Sequence, residues 1–400
     1  MKFPARVLTA VLLISCCAAI PAIGNERERR IVAVGDIHGA FAEFTRILQE
    51  TGLIDEQSHW SGGDTIFVQT GDFLDRGLGE TAIMDLMNRL EKEAPRSGGK
   101  VVVLLGNHEI MNLTRDLRYV SASAYEEFVD RDSEERREKA YSDYTRFLKR
   151  QAKKQDKRPP EFDNAFRKAW MQEHPAGLLE RAEELSTGRY GKWLRRHGVV
   201  TRQCRALFVH GGIHPRLGQL SVEAINKRVG KELQEYAKLR DALVKLDVIL
   251  PFFDSSEAHE AANAELAWLT KEGGDESRIE VLKQFMGTAS WFIKHPDGPV
   301  WFRGYARWEE NAENALQVAE LKKAFDVDSL VVGHTTVLKA GIQSRFGGQI
   351  FLIDTGMLPT HYEGGQASAL ELHGAEIKAI YLDGREALLN RTAETGGQPR

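Results

Sequence analysis

Short apolar runs rich in branched residues recur along the first third of the chain, at Ile31 to Val34, Thr65 to Val68 and Val101 to Leu105. Uninterrupted runs of this length suit parallel strands buried on both faces. Between the first two, Phe41, Phe44, Ile47 and Leu48 fall at helical spacing, and between the next two so do Ile83, Leu86, Met87 and Leu90. The pattern therefore predicts β-α-β-α-β. Further strands are expected at Ala206 to Val209, Leu330 to Val332, Ile350 to Ile353, Ala369 to Leu372 and Ile377 to Leu382. From Val222 to Leu246 apolar positions recur at steps of three and four, the mark of one amphipathic helix, which Pro251 is expected to end.

Two long segments separate these runs. The first, Arg115 to Gln203, is highly charged and carries Tyr141, Tyr144, Phe147, Phe166 and Trp170; it reads as surface helices over the sheet edge. The second spans Ser221 to Ile293. Both leave and re-enter the sheet between polar motifs, so they can act as a cap over a site or as plain scaffold. The expected organisation is one catalytic domain over 25–390 with helical insertions at about 115–203 and 221–293, then a polar tail over 391–400.

The candidate chemistry sits just past the strand ends. G-D-I-H-G (Gly35 to Gly39), G-D-F-L-D-R-G (Gly71 to Gly77), G-N-H-E (Gly106 to Glu109), V-H-G-G (Val209 to Gly212) and G-H-T (Gly333 to Thr335) follow the apolar runs in order. In an open parallel sheet the carboxyl ends of the strands share one edge, so residues about thirty positions apart converge. Asp36, His38, Asp72, Asp75, Asn107 and His108 become neighbours, with His210 and His334 delivered to similar places. Carboxylate, amide and imidazole donors form an intermediate ligand set, suited to Mn, Fe or Zn rather than Ca²⁺ or a thiolate site. Asp72 can bridge two ions, leaving Asp36 and His38 to complete one and Asn107, His210 and His334 the other. Singly, a G-D-x-H-G turn or a strand-end histidine has an ordinary structural explanation; five strings in this order do not.

On those motifs the chain resembles the calcineurin-like metallophosphoesterases, and within them the phosphoprotein phosphatase superfamily. It is most similar to the Shewanella-like protein phosphatases, through G-N-H-E-I-M-N, the long helical stretch before V-H-G-G, and G-P-V-W-F-R-G at Gly298 to Gly304. The resemblance covers roughly residues 30 to 385 and implies a four-layer α/β/β/α fold. It also implies a dinuclear-metal phosphomonoesterase, a protein phosphatase in which a metal-bridged hydroxide attacks the phosphate ester. Asp36, His38, Asp72, Asn107, His210 and His334 are then the metal ligands; Arg76, Asn107 and Arg303 contact phosphate; His108 is the general acid, oriented by Asp75. Packing of Arg303 on Trp301 or Phe302 is the structural alternative. Glu109 reads as structural, and Asp354, in I-D-T-G, as a local turn cap outside the site. Animal-type members read H-G-G-L-S-P where this chain has H-G-G-I-H-P, so peptide specificity is not transferred. Phosphorylated protein or a small phosphoester is the expected substrate. The rivals are a diadenosine tetraphosphate or other nucleotide hydrolase, and an inactive metal-binding scaffold.

Composition narrows the setting. Met1 to Gly24 combines Lys2 and Arg6, an apolar stretch from Val7 to Ile20, and small residues at cleavage spacing: a secretory signal peptide in form, implying export to the periplasm. The stretch is shorter than the roughly 20 residues that span a bilayer, so no transmembrane anchor is expected in the mature chain. Leu13-Ile14-Ser15-Cys16 also has the form that lipid attachment requires, which would give a lipid anchor at Cys16. The whole chain carries a net charge of −4, and losing Lys2 and Arg6 with the acid-free leader leaves −6. That balance argues against a nucleic-acid partner.

Overall fold

A computed structural model describes residues 29–338 and 340–389. The leader expected over 1–24 and the tail over 391–400 lie outside the described residues. The strands are β1 (Ile31–Val34), β2 (Ile66–Gln69), β3 (Lys100–Val103), β4 (Val200–Gln203), β5 (Ala206–Val209), β6 (Ser329–Val332), β7 (Gln343–Arg345), β8 (Ile350–Leu352), β9 (Ser368–His373), β10 (Glu376–Tyr381) and β11 (Glu386–Leu388). The first helices are α1 (Phe41–Glu50), α2 (Glu80–Glu93) and α3 (Asn107–Leu113). Residues 115–203 hold α4 (Ala122–Glu126), α5 (Ser133–Lys154), α6 (Asn164–Glu173), α7 (Leu178–Ser186) and α8 (Arg189–Leu194). Residues 221–293 hold α9 (Val222–Lys245), α10 (Ser255–Glu272) and α11 (Glu276–Gly287), and α12 (Gly304–Arg307) and α13 (Ala312–Phe325) follow.

Two sheets form, in the orders β11-β10-β9-β1-β2-β3 and β4-β5-β6-β8-β7. Side-chain alternation along each strand sets the layers. Ile31, Ala33, Ile66 and Val68 from one sheet join Ala206, Phe208, Val331 and Phe351 from the other in one buried cluster, the core between the sheets. The intervening residues Val32, Val34, Phe67, Leu207, Val209, Leu330 and Val332 belong instead to a cluster shared with helix residues such as Phe44, Ile83, Ile225 and Val318. The architecture is therefore α/β/β/α. Strands β1, β2 and β3 run parallel, as do β5, β6 and β8, so their carboxyl ends gather the polar motifs.

The insertion helices also carry a core of their own. Phe147 of α5 packs with Tyr236 and Leu243 of α9, Phe253, Ala258 of α10 and Phe285 of α11. The two inserted segments thus brace one another as well as the sheets.

Several details depart from the periodicity. The stretch 115–203, expected to be helical throughout, ends in strand β4; β7 and β11 were likewise not expected. All three are edge strands with polar, partly exposed sequences, V-T-R-Q, Q-S-R and E-A-L, which lack the apolar run that marked the other edge strand, β3. Helix α9 stops at Lys245, before Pro251, where Asp247 turns with φ +53°. No helix among the described residues is long and apolar enough to cross a membrane.

Candidate metal centre

Five site residues, His38, Asp72, Asp75, Arg76 and His334, have φ between +49° and +70°, a left-handed conformation that costs a non-glycine residue of order 1–3 kcal/mol. Surrounding hydrogen bonds hold it in place. The backbone N–H groups of Ile37 and His38 donate to the Asp72 carbonyl at 2.9 and 3.1 Å. The Glu109 carboxylate accepts four N–H groups, from Asp72 (2.7 Å), Phe73 (3.0 Å), Leu74 (3.1 Å) and Gly106 (2.8 Å). Burial and the Asp72 charge push Glu109 up to about 7, against those four donors. Two motif glycines serve closeness rather than turning. A Cβ on Gly106 would strike Asp72 Oδ1, and one on Gly333 would strike Asp36 Oδ1.

The histidines are oriented through their outer nitrogens. A carbonyl can only accept, so Nδ1 of His38 donates to Leu74 O (2.9 Å) and Nδ1 of His210 donates to Thr70 O (3.0 Å). Each Nε2 is left with a lone pair directed inward. His210 Nε2 then lies 3.0 Å from Asn107 Oδ1, 3.1 Å from His334 Nδ1 and 3.2 Å from Asp72 Oδ2. His38 Nε2 lies 3.9 Å from both Asp36 Oδ2 and Asp72 Oδ2. Lone pairs facing lone pairs in a buried space are repulsive unless a cation lies among them, so this donor set fits metal ions. Two groups meet the spacing for a shared ion, His38–Asp72–His108 and Asp72–His210–His334, and Asp72 belongs to both.

The charges respond accordingly. Burial, then the Asp354 and Asp72 carboxylates, push Asp36 well above the usual carboxylate range. Burial would raise Asp72 as well, yet the imidazoles of His210, His108 and His38 hold it well below. Burial, then neighbouring His108, lowers His38, and burial, then His210, lowers His334. Asp354 caps the Gly356 N–H at 3.1 Å, and it is also buried near enough to act on Asp36.

His108 faces the same space from α3. Its Nδ1 is 2.7 Å from Asp75 Oδ2 and its Nε2 is 3.8 Å from Asp72 Oδ2. Burial works against the imidazolium, but Asp72 and the hydrogen bond to Asp75 lift its pKa above the ordinary value. Behind this pair lies a wholly buried guanidinium that motif reading missed. Arg181 of α7 donates to Asp75 Oδ1 (2.8 Å), to both oxygens of Glu80 (2.8 and 2.9 Å) and to Asn112 Oδ1 (2.7 Å), while Asn112 Nδ2 donates to Asp75 Oδ1 (3.0 Å). Despite burial, the His108 bond and Arg181 hold Asp75 down at about 2.

Arg76 and Arg303 flank the group. Arg76 Nη2 is 3.3 Å from His108 Nε2, and its Nη1 donates to the Tyr362 hydroxyl, a residue not singled out from sequence. Arg303 Nη1 donates to His334 O (2.7 Å) and Thr335 Oγ1 (3.1 Å), so its anchor is the G-H-T turn.

Known proteins share this combination of fold and motifs. The profile of the calcineurin-like phosphoesterases matches residues 29–338. The chain is a calcineurin-like phosphoesterase. Shewanella-like protein phosphatase 2 of Arabidopsis thaliana is 46% identical over 103 residues, a stretch covering 26% of each chain. Shewanella-like protein phosphatase 1 of Plasmodium berghei is 25% identical over 358 residues, covering 88% of this chain and 74% of the relative. The solved cold-active protein-tyrosine phosphatase of a psychrophilic Shewanella species superposes with a TM-score of 0.54 at 21% identity, over 91% of this chain and 81% of its own, a likeness of fold. This phosphoesterase thus belongs among metal-dependent hydrolases of the phosphatase type.

Two variants of the phosphoesterase test the packing of its centre. Gly333→Ala should push Asp36 aside and weaken Mn²⁺ affinity by at least about tenfold, read by metal titration of the folded protein; unchanged affinity contradicts the crowding argument. Arg181→Met leaves two buried acids without their cation and should lose about 3–5 kcal/mol in urea unfolding. A loss under about 1 kcal/mol would show that the buried network does not depend on Arg181.

Proposed function

We propose that this chain is an exported two-metal phosphomonoesterase acting on phosphorylated protein. One observation carries the reading: the Asp72 carboxylate is common to two buried donor groups, the arrangement a bridging ligand needs, although the first of them contains His108 where this reading puts Asp36, 3.9 Å from His38 Nε2. Asp36, His38 and Asp72 would hold one ion, and Asp72, Asn107, His210 and His334 the other. The oxygen and imidazole donors suit Mn or an Fe/Zn pair. When bound, such ions acidify water towards neutral pH and offset the charge of phosphate oxygens. The similarity to proteins named as phosphatases supports phosphoprotein as substrate, and the leader-like Met1 to Gly24 supports export.

The remaining steps belong to the chain's own side chains. Arg76, Asn107 and Arg303 orient the phosphate, the two guanidiniums as planar forks matched to its oxygens. His108 gives its Nε2 proton to the departing oxygen. Asp75 holds Nδ1 protonated at 2.7 Å, and Arg181 and Asn112 hold Asp75. Against the cost of burial, Asp72 and Asp75 both favour the charged imidazole and lift its pKa above the ordinary value.

Asp72→Asn should abolish turnover of p-nitrophenyl phosphate and strip both metals, read by elemental analysis; a variant retaining two ions and normal rate ends the bridging role. His108→Asn should slow phosphoserine peptides far more than p-nitrophenyl phosphate, whose leaving group barely needs a proton. In the wild type, phosphoserine turnover should fall as pH rises through the lifted His108 pKa, because the protonated form is the donor. Equal losses on both substrates, or a flat alkaline limb with phosphoserine, remove His108 from that role.

A further inference from the structure

A cavity of about 1080 Å³ lies between residues that border the metal centre and the second inserted segment. Its near end is lined by Met111, Trp301 and Arg303. Met111 Sδ is 3.9 Å from Asn107 Nδ2, the Trp301 ring is 5.9 Å from that of His334, and Arg303 donates to the His334 carbonyl. The far end is built by Asp254, Ser255, His259 and Lys294. This volume is at or above the upper range for a whole small-molecule site. It exceeds what a lone phosphate ester fills and matches several residues of an extended peptide.

The walls carry acids and bases; the acids and Arg118 are engaged, whereas two of the cations have no acid in contact. Asp116 pairs with Arg118 at 2.9 Å, Asp254 caps α10 by accepting the Glu257 N–H at 2.8 Å, and Asp297 sits 3.9 Å from both His214 and His295. Lys294 and Arg307 have no carboxylate within 4.0 Å among the described residues, although each lines the cavity. Lys294, half-buried, reaches inward to place Nζ 4.5 Å from the centre of the Tyr236 ring. Arg307, exposed and one helical turn beyond Arg303, lowers that residue's pKa after burial does, as expected of two cations facing a common space. Burial, then Lys294 and Arg240, also push His259 down, and burial brings Lys294 itself to about 8. Asp116 acts on Lys294 from the same wall but is itself paired with Arg118, so the partly buried Lys294 has no carboxylate in contact to offset the cost of its burial.

We propose that this cavity is a substrate subsite in which Lys294 and Arg307 bind an anionic group on the peptide flanking the phosphorylated residue, a carboxylate or a second phosphate. The assignment rests on the phosphatase reading and adds to it a preference for acidic phosphopeptides.

The test is a panel of phosphopeptides identical except for aspartate, alanine or lysine beside the phosphorylated residue, with a doubly phosphorylated member and p-nitrophenyl phosphate as a substrate that cannot reach the subsite. Wild-type kcat/KM should be about tenfold higher for the aspartate peptide than for the alanine one, through KM, and lower again for lysine. Lys294→Met combined with Arg307→Gln should level the panel, leave p-nitrophenyl phosphate turnover unchanged and not lower thermal stability. If the doubly phosphorylated peptide alone gains, the subsite is for phosphate; if the aspartate peptide gains equally, it reads negative charge. Equal rates across the wild-type panel, or a preference that survives in the double variant, overturn the proposal. Binding of the same peptides carrying a non-hydrolysable phosphonate, followed by fluorescence anisotropy, separates this outcome from failure of the phosphatase reading. A chain that turns over no phosphoester yet binds the aspartate peptide more tightly keeps the subsite, and equal binding removes it.

Discussion

One carboxylate sets the arrangement of the rest. Asp72 stands between His38 and His108 on one side and His210 and His334 on the other, and it does so from a backbone conformation that only its surroundings can sustain. Glu109 supplies that restraint by drawing the N–H groups of Asp72, Phe73, Leu74 and Gly106 onto a single side chain. The strand-end loop after β2 is thereby fastened to the turn that begins α3. A buried acid therefore holds another buried acid in position, and the imidazoles keep Asp72 ionised against the cost of burial.

The second tier is the line His108–Asp75–Arg181, which joins the sheet-edge motifs to an inserted helix. The His108 imidazole is oriented by Asp75, Asp75 is kept charged by Arg181, and Arg181 also pairs with Glu80 at the start of α2. The inserted helices accordingly do more than cover the sheet. One of them supplies the counter-charge for Asp75 and Glu80 beneath it, and the other inserted segment lines the cavity beside the site.

Much of this was legible in the residues alone. Runs such as Ile31 to Val34 and Ala206 to Val209 announce buried parallel strands because they are apolar on both faces, and the motif residues at their ends had to meet along one edge. Edge strands β4, β7 and β11 gave no such signal, since most of their side chains are at least partly exposed. Arg181 was hidden for a different reason: within L-L-E-R-A-E-E it looks like any surface arginine, and only the fold shows that it is buried against Asp75 and Glu80. Asn112 stood inside a quoted motif without a role, and Tyr362 lies in a loop whose approach to Arg76 depends on long-range packing. Metal-ligand residue types are readable from spacing; the groups that hold them in place are set by tertiary contacts.

The reach of Arg181 has a consequence for the order of assembly. It bonds partners 106 and 101 positions earlier in the chain, so the loop carrying Asp75 lacks its counter-charge until α7 has docked. Contacts of such separation close late. A nascent or partly folded chain would thus hold the strand-end motifs in correct order but with the His108–Asp75 pair unsupported, a delay that ties the finished site to completed folding.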